Sequence, residues 1–267
     1  MSQDSGEKLV KLTIDGQEVE ACSGDTVLEV AEQMGIDIPA LCYHPVRGGA
    51  GACRVCMVEV VAWGRRRMVA SCVYPAREGL EVYTNTEKVL RARRSVISML
   101  LAKAPAAKAV QELAAKYDVS EPACEPTDPE GRCILCGQCV RTCNELIKVG
   151  AVNFAYRGQE RKAGTPYDSE SAVCLGCGAC QNLCPTGNIR IRDKAECRAV
   201  LTWNTDLAWQ MCSRCGQRYL PARLVEHLRK SLPAGAELLE VCPRCRREGT
   251  AEDFARASVT AEQNSEP

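Results

Sequence analysis

The sequence predicts an α+β chain of several small modules, each organised around a group of four cysteines. Three observations carry this. The chain has 267 residues, which at ~100–200 residues per domain allows one large domain or two to three small ones. Only 4% of the residues are aromatic and only two are Phe, which argues against one large aromatic core. Nineteen residues are Cys against two His, and sixteen of those cysteines sort into four sets of four.

The elements follow in chain order. Lys8–Ile14 alternates as a strand, Asp15-Gly16 is a favoured two-residue turn, and Gln17–Ala21 returns. Thr26-x-x-Glu29 fits a capping box, opening a helix through Val27, Leu28, Val30, Ala31 and Met34 that stops at Gly35. Hairpin, helix and a glycine-rich loop make a small β-rich α+β module over 1–84. Residues 85–131 form a helical connector: Val89, Leu90, Val96, Ile97, Leu100 and Leu101 line one stripe, Pro105 interrupts it, and Val110, Leu113, Ala114 and Tyr117 resume it. The Pro- and acid-rich stretch 118–131 reads as a linker. Residues 132–195 hold an internal repeat, CILCGQCVRTC and CLGCGACQNLC. Residues 196–248 carry two CxxC knuckles around a helix with Leu224, Val225, Leu228 and Leu232, and the polar tail 249–267 reads as disordered.

Charge and compartment narrow the chemistry. Lys plus Arg equals Asp plus Glu at 34 each, so no global field attracts nucleic acid or an anionic membrane. The N-terminus MSQDSGEKLVKL has no apolar signal region, and no apolar run reaches the ~18 residues of a membrane span. A cytoplasmic chain with many thiols reads as metal-binding, not disulfide-bonded, and an odd number of cysteines cannot all pair. With so few histidines, thiolate is the main ligand, which selects zinc or iron–sulfur clusters. No GxGxxG or GxxxxGK[ST] gives the chain a nucleotide site of its own.

The first set is Cys42-x10-Cys53-x2-Cys56-x15-Cys72, with Gly48, Gly49 and Gly51 between its first two members. Glycines let the backbone close around two irons and turn N–H groups toward sulfur, so this set reads as a [2Fe–2S] site. Its x10 gap departs from plant-type spacing. His44 beside Cys42 reads as packed or hydrogen-bonded, because four thiolates already complete the set. The second and third sets are Cys133-x2-Cys136-x2-Cys139-x3-Cys143 and Cys174-x2-Cys177-x2-Cys180-x3-Cys184-Pro185, two bacterial ferredoxin motifs. In such pairs the fourth cysteine ligates the other cluster. One [4Fe–4S] cube therefore takes Cys133, Cys136, Cys139 and Cys184, and the other takes Cys143, Cys174, Cys177 and Cys180. The fourth set, Cys212-x2-Cys215 and Cys242-x2-Cys245, suits a tetrahedral zinc; mononuclear iron and a further [4Fe–4S] are the alternatives. Arg214, Arg218, Arg244, Arg246 and Arg247 around it offer a basic surface for an acidic partner, or an ordinary solvated one. Cys22, Cys124 and Cys197 have no partner spacing and read as ordinary cysteines.

The segment LCYHPVRGGAGACRVCMVEV…SCVYPAREGLEVYT resembles the N-terminal domain of the largest peripheral iron–sulfur subunit of respiratory complex I, and the small diaphorase subunits of NAD-linked hydrogenases and formate dehydrogenases. The resemblance implies a β-grasp [2Fe–2S] ferredoxin domain followed by a bacterial two-[4Fe–4S] domain. It implies an FMN- and NAD(P)-binding flavoprotein partner, a small [2Fe–2S] subunit, and a second redox module: a hydrogenase, a formate dehydrogenase, a ferredoxin or a bifurcating reductase. Those relatives hold a further His-ligated cluster after the next helix. Here the equivalent stretch, Leu100–Lys108, has neither His nor Cys. In the relatives the insert between the two motifs packs on partners, so the polar segment 157–166 is either a contact loop or a solvated one. The expected function is an electron-transfer subunit with no catalytic site of its own, since every set has its four thiolates and no metal position stands open. A stand-alone ferredoxin-like reductase component and a zinc-ribbon interaction protein are the other readings.

Overall fold

The computed structural model describes residues 9–62, 64–232 and 235–251. They pack as two units. Among these residues the first comprises those of 9–148, 154–163 and 180–189, and the second those of 149–153, 164–179 and 190–251.

In the first unit, β1 (Leu9–Ile14) and β2 (Gln17–Cys22) form the expected hairpin. Asp15 and Gly16 both hold positive φ, 49° and 83°, which is the twist a two-residue hairpin turn needs. Helix α1 (Val27–Gln33) starts on a complete capping box: Thr26 Oγ1 accepts from Glu29 N–H at 3.3 Å and Glu29 Oε2 accepts from Thr26 N–H at 2.8 Å. Strands β3 (Met57–Ala62), β4 (Arg65–Ala70) and β5 (Leu80–Tyr83) complete a mixed sheet of order β2-β1-β5-β3-β4, in which β1 and β5 run parallel. This is the β-grasp arrangement that the resemblance implied. Its core joins Leu12 and Ile14 of β1, Val27, Leu28 and Val30 of α1, and Val58, Val60 and Val82, with Cys56 and Cys72 buried among them. The two edge strands carry opposite charge: Glu18 and Glu20 are exposed on β2, and Arg65, Arg66 and Arg67 on β4.

The connector folds as two helices, α2 (Glu87–Lys103) and α3 (Lys108–Lys116), separated at Pro105. Arg93 lies buried within α2. Its Nε and Nη2 donate to Met57 O at 3.2 and 2.8 Å, and its Nη1 donates to Tyr117 Oη at 3.3 Å. One guanidinium thus ties the helix pair to β3. A second core forms around these helices from Val55, Ile97, Leu100, Ala104, Ala107 and Val110, together with Cys42, Cys53 and Ile134. The stretch read as a linker is bound back on the connector: Ala123 N–H donates to Ser98 O at 2.9 Å and Ala106 N–H to Gly131 O at 3.1 Å. Its prolines and acids make turns that follow α2 closely.

Short helices α4 (Gln138–Arg141) and α5 (Ala179–Asn182) mark the two cysteine motifs, and two three-residue strands, β6 (Asn153–Ala155) and β7 (Lys162–Gly164), lie in the insert between them. In the second unit β8 (Ile191–Asp193), β9 (Cys197–Val200), β10 (Thr205–Met211) and β11 (Arg218–Pro221) form an antiparallel sheet of order β11-β10-β9-β8. Helix α6 (Ala222–Ser231) packs on β10 through the buried Val225. Leu232, expected on that helix, follows its last turn and is exposed, because the helix ends one residue earlier. A further helix covers 243–251, so the segment 249–267 begins helical; residues 252–267 lie outside the described residues.

Thr26→Ala removes the box that starts α1. It should cost about 1 kcal/mol, read as a lower denaturation midpoint of the metal-loaded protein, while Thr26→Ser retains most of the stability.

Candidate metal centres

The first cysteine set converges at one end of the β-grasp sheet. Cys42 follows α1, Cys53 and Cys56 lead into β3, and Cys72 sits in a single helical turn, Ser71–Val73, after β4. None of the four is more than 5% exposed. Their sulfurs touch in sequence. Hydrogen bonds from the Cys53 and Cys72 thiols hold Cys42 down to about 2, and the bond to Cys72 holds Cys56 down to about 6. Cys53 and Cys72 are correspondingly pushed up by giving their protons to those bonds. The site thus stabilises thiolate where a metal would replace the shared protons.

The loop backbone fits this site closely. A Cβ on Gly49 would stand 2.3 Å from Cys72 O and 2.8 Å from Cys72 Sγ, so only glycine passes there. Cys53 N–H points at Cys42 Sγ from 3.4 Å, and Ser71 N–H and Oγ both donate to Cys56 O, at 3.1 and 2.9 Å. Arg54 takes φ 60° to turn the chain between Cys53 and Cys56. His44 stays out of the sulfur group: its Nδ1 accepts from Val46 N–H at 3.2 Å. Four convergent buried thiols with a glycine-only approach fit a [2Fe–2S] pair.

In the next motif Leu135 and Gly137 hold φ of 53° and 76°, folding Cys133, Cys136 and Cys139 toward one another. Burial pushes all three thiols up, Cys136 to about 11, and the charge of Cys184 adds to the shift on each. Cys184 therefore lies within electrostatic reach of the first motif's three cysteines and in the same unit, although it belongs to the second motif in sequence. Four thiols drawn from a tight loop and one distant turn fit a cubane.

The two sites are joined. Gln138, on α4 between Cys136 and Cys139, is 1% exposed. Its Nε2 donates to Cys42 O at 2.7 Å and to Gly48 O at 3.3 Å. Arg141, one turn on, donates from Nη1 to Gly49 O at 3.0 Å, and Arg47 pairs with Glu145. Cys42 also contributes to the shift on Cys136. Gln138 and Cys42 are 96 residues apart, and no spacing rule could have paired them.

The second motif repeats the geometry of the first. Gly176 and Gly178, at φ 65° and 79°, occupy the places of Leu135 and Gly137. Cys174 is buried, and Cys177, Cys180 and Cys143 are half-buried, the last in a π-helical turn, Thr142–Leu146. Cys143 and Cys180 belong to the first unit, Cys174 and Cys177 to the second. A Cβ at Gly176 would meet Leu207 at 3.0 Å and Pro221 at 3.2 Å, so the Cys174–Cys177 loop lies flat on the sheet of its own unit.

At the fourth set, the ligand sulfurs of Cys212, Cys215, Cys242 and Cys245 all lie within 4.8 Å of one another, and Cys215 Sγ is 3.8 Å from Cys242 Sγ. A tetrahedral ion with metal–sulfur bonds of ~2.3 Å needs sulfurs ~3.8 Å apart. A cubane takes each thiolate on a separate iron and spreads them wider, so this group fits one ion. Cys242 N–H donates to Cys212 Sγ at 3.2 Å and Cys245 N–H to Cys242 Sγ at 3.5 Å. These backbone donors hold Cys212 down to about 6 and lower Cys242, whereas burial pushes Cys245 up to about 12. Cys212, Cys242 and Cys245 form this module's core, with Cys215, Tyr219 and Val241 packed against them. Of the surrounding arginines, Arg214 donates to Cys245 O at 3.4 Å, Arg218 to Lys194 O at 2.6 Å, and Arg244 pairs with Glu248 at 3.6 Å. Much of the basic surface is thus engaged inside the module. Cys22, Cys124 and Cys197 lie outside these groups, and no cysteine is in a disulfide.

Gly49→Ala should block assembly of the first cluster, seen as lost [2Fe–2S] absorbance with the cubane signals kept. Gly48→Ala, which has open space and only the strain of a positive φ (~1–2 kcal/mol), should assemble. Gln138→Met keeps the volume but leaves the buried Cys42 carbonyl without that side-chain donor. Ala50 N–H still donates to that carbonyl at 3.1 Å, so the loss should be ~0.5–1.5 kcal/mol locally, measured as faster chelator-driven iron release from the [2Fe–2S] site.

Comparison with known proteins agrees with this geometry. A model described as 2Fe-2S iron-sulfur cluster binding domain matches residues 7–87, and one described as 4Fe-4S dicluster domain matches 132–188. A subunit of the NADH-quinone oxidoreductase of Rhizobium meliloti (strain 1021) is 31% identical over 238 residues, covering 78% of this chain and 27% of that protein. The HndD subunit of the NADP-reducing hydrogenase of Solidesulfovibrio fructosivorans is 32% identical over 209 residues, covering 67% of this chain and 35% of that protein. The chain thus spans about a quarter to a third of these relatives. A crystal structure of an NAD+-reducing [NiFe]-hydrogenase in the H2-reduced state superposes with TM-score 0.53 at 27% identity, covering 81% of this chain and 95% of that one. Over 7–87 the chain thus matches a 2Fe-2S cluster binding domain and over 132–188 a 4Fe-4S dicluster domain, and it is similar to subunits of an NADH-quinone oxidoreductase and of NAD(P)-linked hydrogenases.

Proposed function

We propose that the chain is the electron-carrying subunit of an NAD(P)-linked, flavin-containing oxidoreductase complex. The observation that carries this is the junction between the first two sites, where Gln138 bonds the Cys42 carbonyl from within the cubane motif. Bound clusters supply one-electron transfer between a two-electron flavin donor and a second redox partner. The residues hold them: Cys42, Cys53, Cys56 and Cys72 the [2Fe–2S]; Cys133, Cys136, Cys139 and Cys184 the first [4Fe–4S]; Cys143, Cys174, Cys177 and Cys180 the second, by the exchange of fourth cysteines that paired motifs imply. Burial of the first set excludes water from its thiolates, and Gln138 with Arg141 fixes that loop against the first motif. The stretch Leu100–Lys108 offers no ligand for an intervening cluster, so this contact is the route between the two.

Zinc at Cys212, Cys215, Cys242 and Cys245 is the reading favoured there. Three of the four thiols are themselves the module's core and the fourth packs on them, so the ion contributes folding energy. The modules run 1–84, 85–131, 132–195 and 196–248. The partners are a flavoprotein binding FMN and NAD(P), a small [2Fe–2S] subunit, and a hydrogenase, formate dehydrogenase, ferredoxin or reductase module. The compartment is the cytoplasm; among the described residues no helix is long and apolar enough to cross a membrane.

Protein isolated without oxygen should contain about ten iron and one zinc per chain, with sulfide for three clusters. About eleven iron and no zinc would place iron in the fourth site. Zinc in excess of iron, with no sulfide and no brown colour, would overturn the electron-transfer reading. Purification of the native complex should recover FMN in stoichiometric amount.

A further inference from the structure

Arg198 is held on four sides. Its Nε and Nη2 bond Asp193 Oδ1 and Oδ2 at 2.7 and 3.0 Å, its Nη1 donates to Gly176 O at 3.0 Å, and its guanidinium lies over the Trp209 ring at 5.1 Å. Trp209 is fixed in turn: its Nε1 donates to Lys194 O at 3.0 Å, and Arg218 stands over the same ring at 5.6 Å. Gly176 is the residue before Cys177, so the bond to its carbonyl sets the Arg198 guanidinium against the backbone of the Cys174–Cys177 loop. A cation is thus fixed at the tight loop of the second motif, in a geometry that a planar forked side chain supplies and a flexible ammonium does not. The side chain is only 21% exposed, so solvent screens it incompletely. Asp193 is 48% exposed and, as the bidentate partner, offsets part of the charge.

A ferredoxin cluster takes up one electron and gains one negative charge on reduction. A fixed cation beside its ligand loop stabilises the reduced form and raises the potential. We propose that Arg198 is the positioning and potential-setting residue of the cluster held by Cys174 and Cys177, making that cluster the better electron acceptor through its charge and through its bond to the Gly176 carbonyl. Asp193 orients it and moderates it. This rests on the proposed occupation of the second motif by a [4Fe–4S] cluster.

The test is an EPR-monitored redox titration of the full chain in three variants, with iron and sulfide assayed on each. Arg198→Met should shift the reduced-to-oxidised ratio of one [4Fe–4S] cluster by about tenfold toward oxidised, which is 59 mV for a one-electron couple, leaving the other cubane and the [2Fe–2S] unmoved. Arg198→Lys should recover part of the shift, because the charge persists while the forked hold on Asp193 and Gly176 is lost. Asp193→Asn should move the same cluster the opposite way. An unchanged potential in Arg198→Met with full iron and sulfide overturns the proposal, as does a shift in Arg198→Lys as large as that in Arg198→Met. If Arg198→Met loses the cluster, the signs of the other two variants decide: opposite shifts from wild type support the charge role, and shifts of one sign overturn it. If the wild type carries only one [4Fe–4S] signal and half the cubane iron, it is the underlying reading of the second motif that fails.

Discussion

The fold is constrained by the cost of burying thiolate. A charged sulfur taken out of water must be compensated by donors or by a cation, or it takes up a proton instead. The three geometrically resolved groups answer this in different proportions. At the first set, thiolate and thiol share protons, backed by Cys53 N–H and a glycine-only approach at Gly49. At the first cubane motif burial dominates and the thiols stay protonated without metal. At the fourth set backbone N–H groups aim at Cys212 and Cys242. Because these sulfurs sit where other proteins place apolar side chains, a metal held by them would contribute directly to folding free energy.

That coupling explains why the β-grasp module and the connector share a unit. Cys42 and Cys53 lie in the same apolar cluster as Ile97, Leu100 and Ile134. Gln138 and Arg141 then bond the backbone of the glycine loop itself. A loop with three glycines in four residues has little rigidity of its own. Its shape is set from outside, by the motif that its cluster faces.

Local signals in the sequence were reliable where one physical rule acts over a few residues. The turn at Asp15-Gly16, the box at Thr26 and Glu29, and the break at Pro105 all stand in the structure as read. The cysteine spacings were legible for the same reason. What the sequence hid is side chain to backbone bonding at long range. Gln138 reaches Cys42, Arg93 reaches Met57, and Arg198 reaches Gly176. None has a periodicity, and each is an ordinary polar residue until the fold brings a carbonyl to it. Leu135 was hidden differently: it takes the left-handed conformation that its counterpart Gly176 in the repeat adopts freely, so only aligning the two motifs reveals its strain. The helix over 243–251 ran past the expected end of structure because polarity alone does not stop a helix that begins on a metal knuckle.

The charges on the two rims of the β-grasp sheet bear on solubility during assembly. Unpaired edge strands invite another chain to add to them, above all while clusters are missing and cores are loose. The acidic rim of β2 repels a second acidic rim, and the arginine rim of β4 repels a second arginine rim, so symmetric pairing of two identical edges is disfavoured. The asymmetric contact, acidic rim to basic rim, is the electrostatically favoured one, though Lys11 on Glu20 and Glu59 on Arg66 offset part of each rim's charge. That contact runs head to tail, into a ring or an open chain, and does not close as a two-fold dimer. An apoprotein that accumulates faster than it is loaded should therefore tend toward head-to-tail, salt-sensitive aggregates.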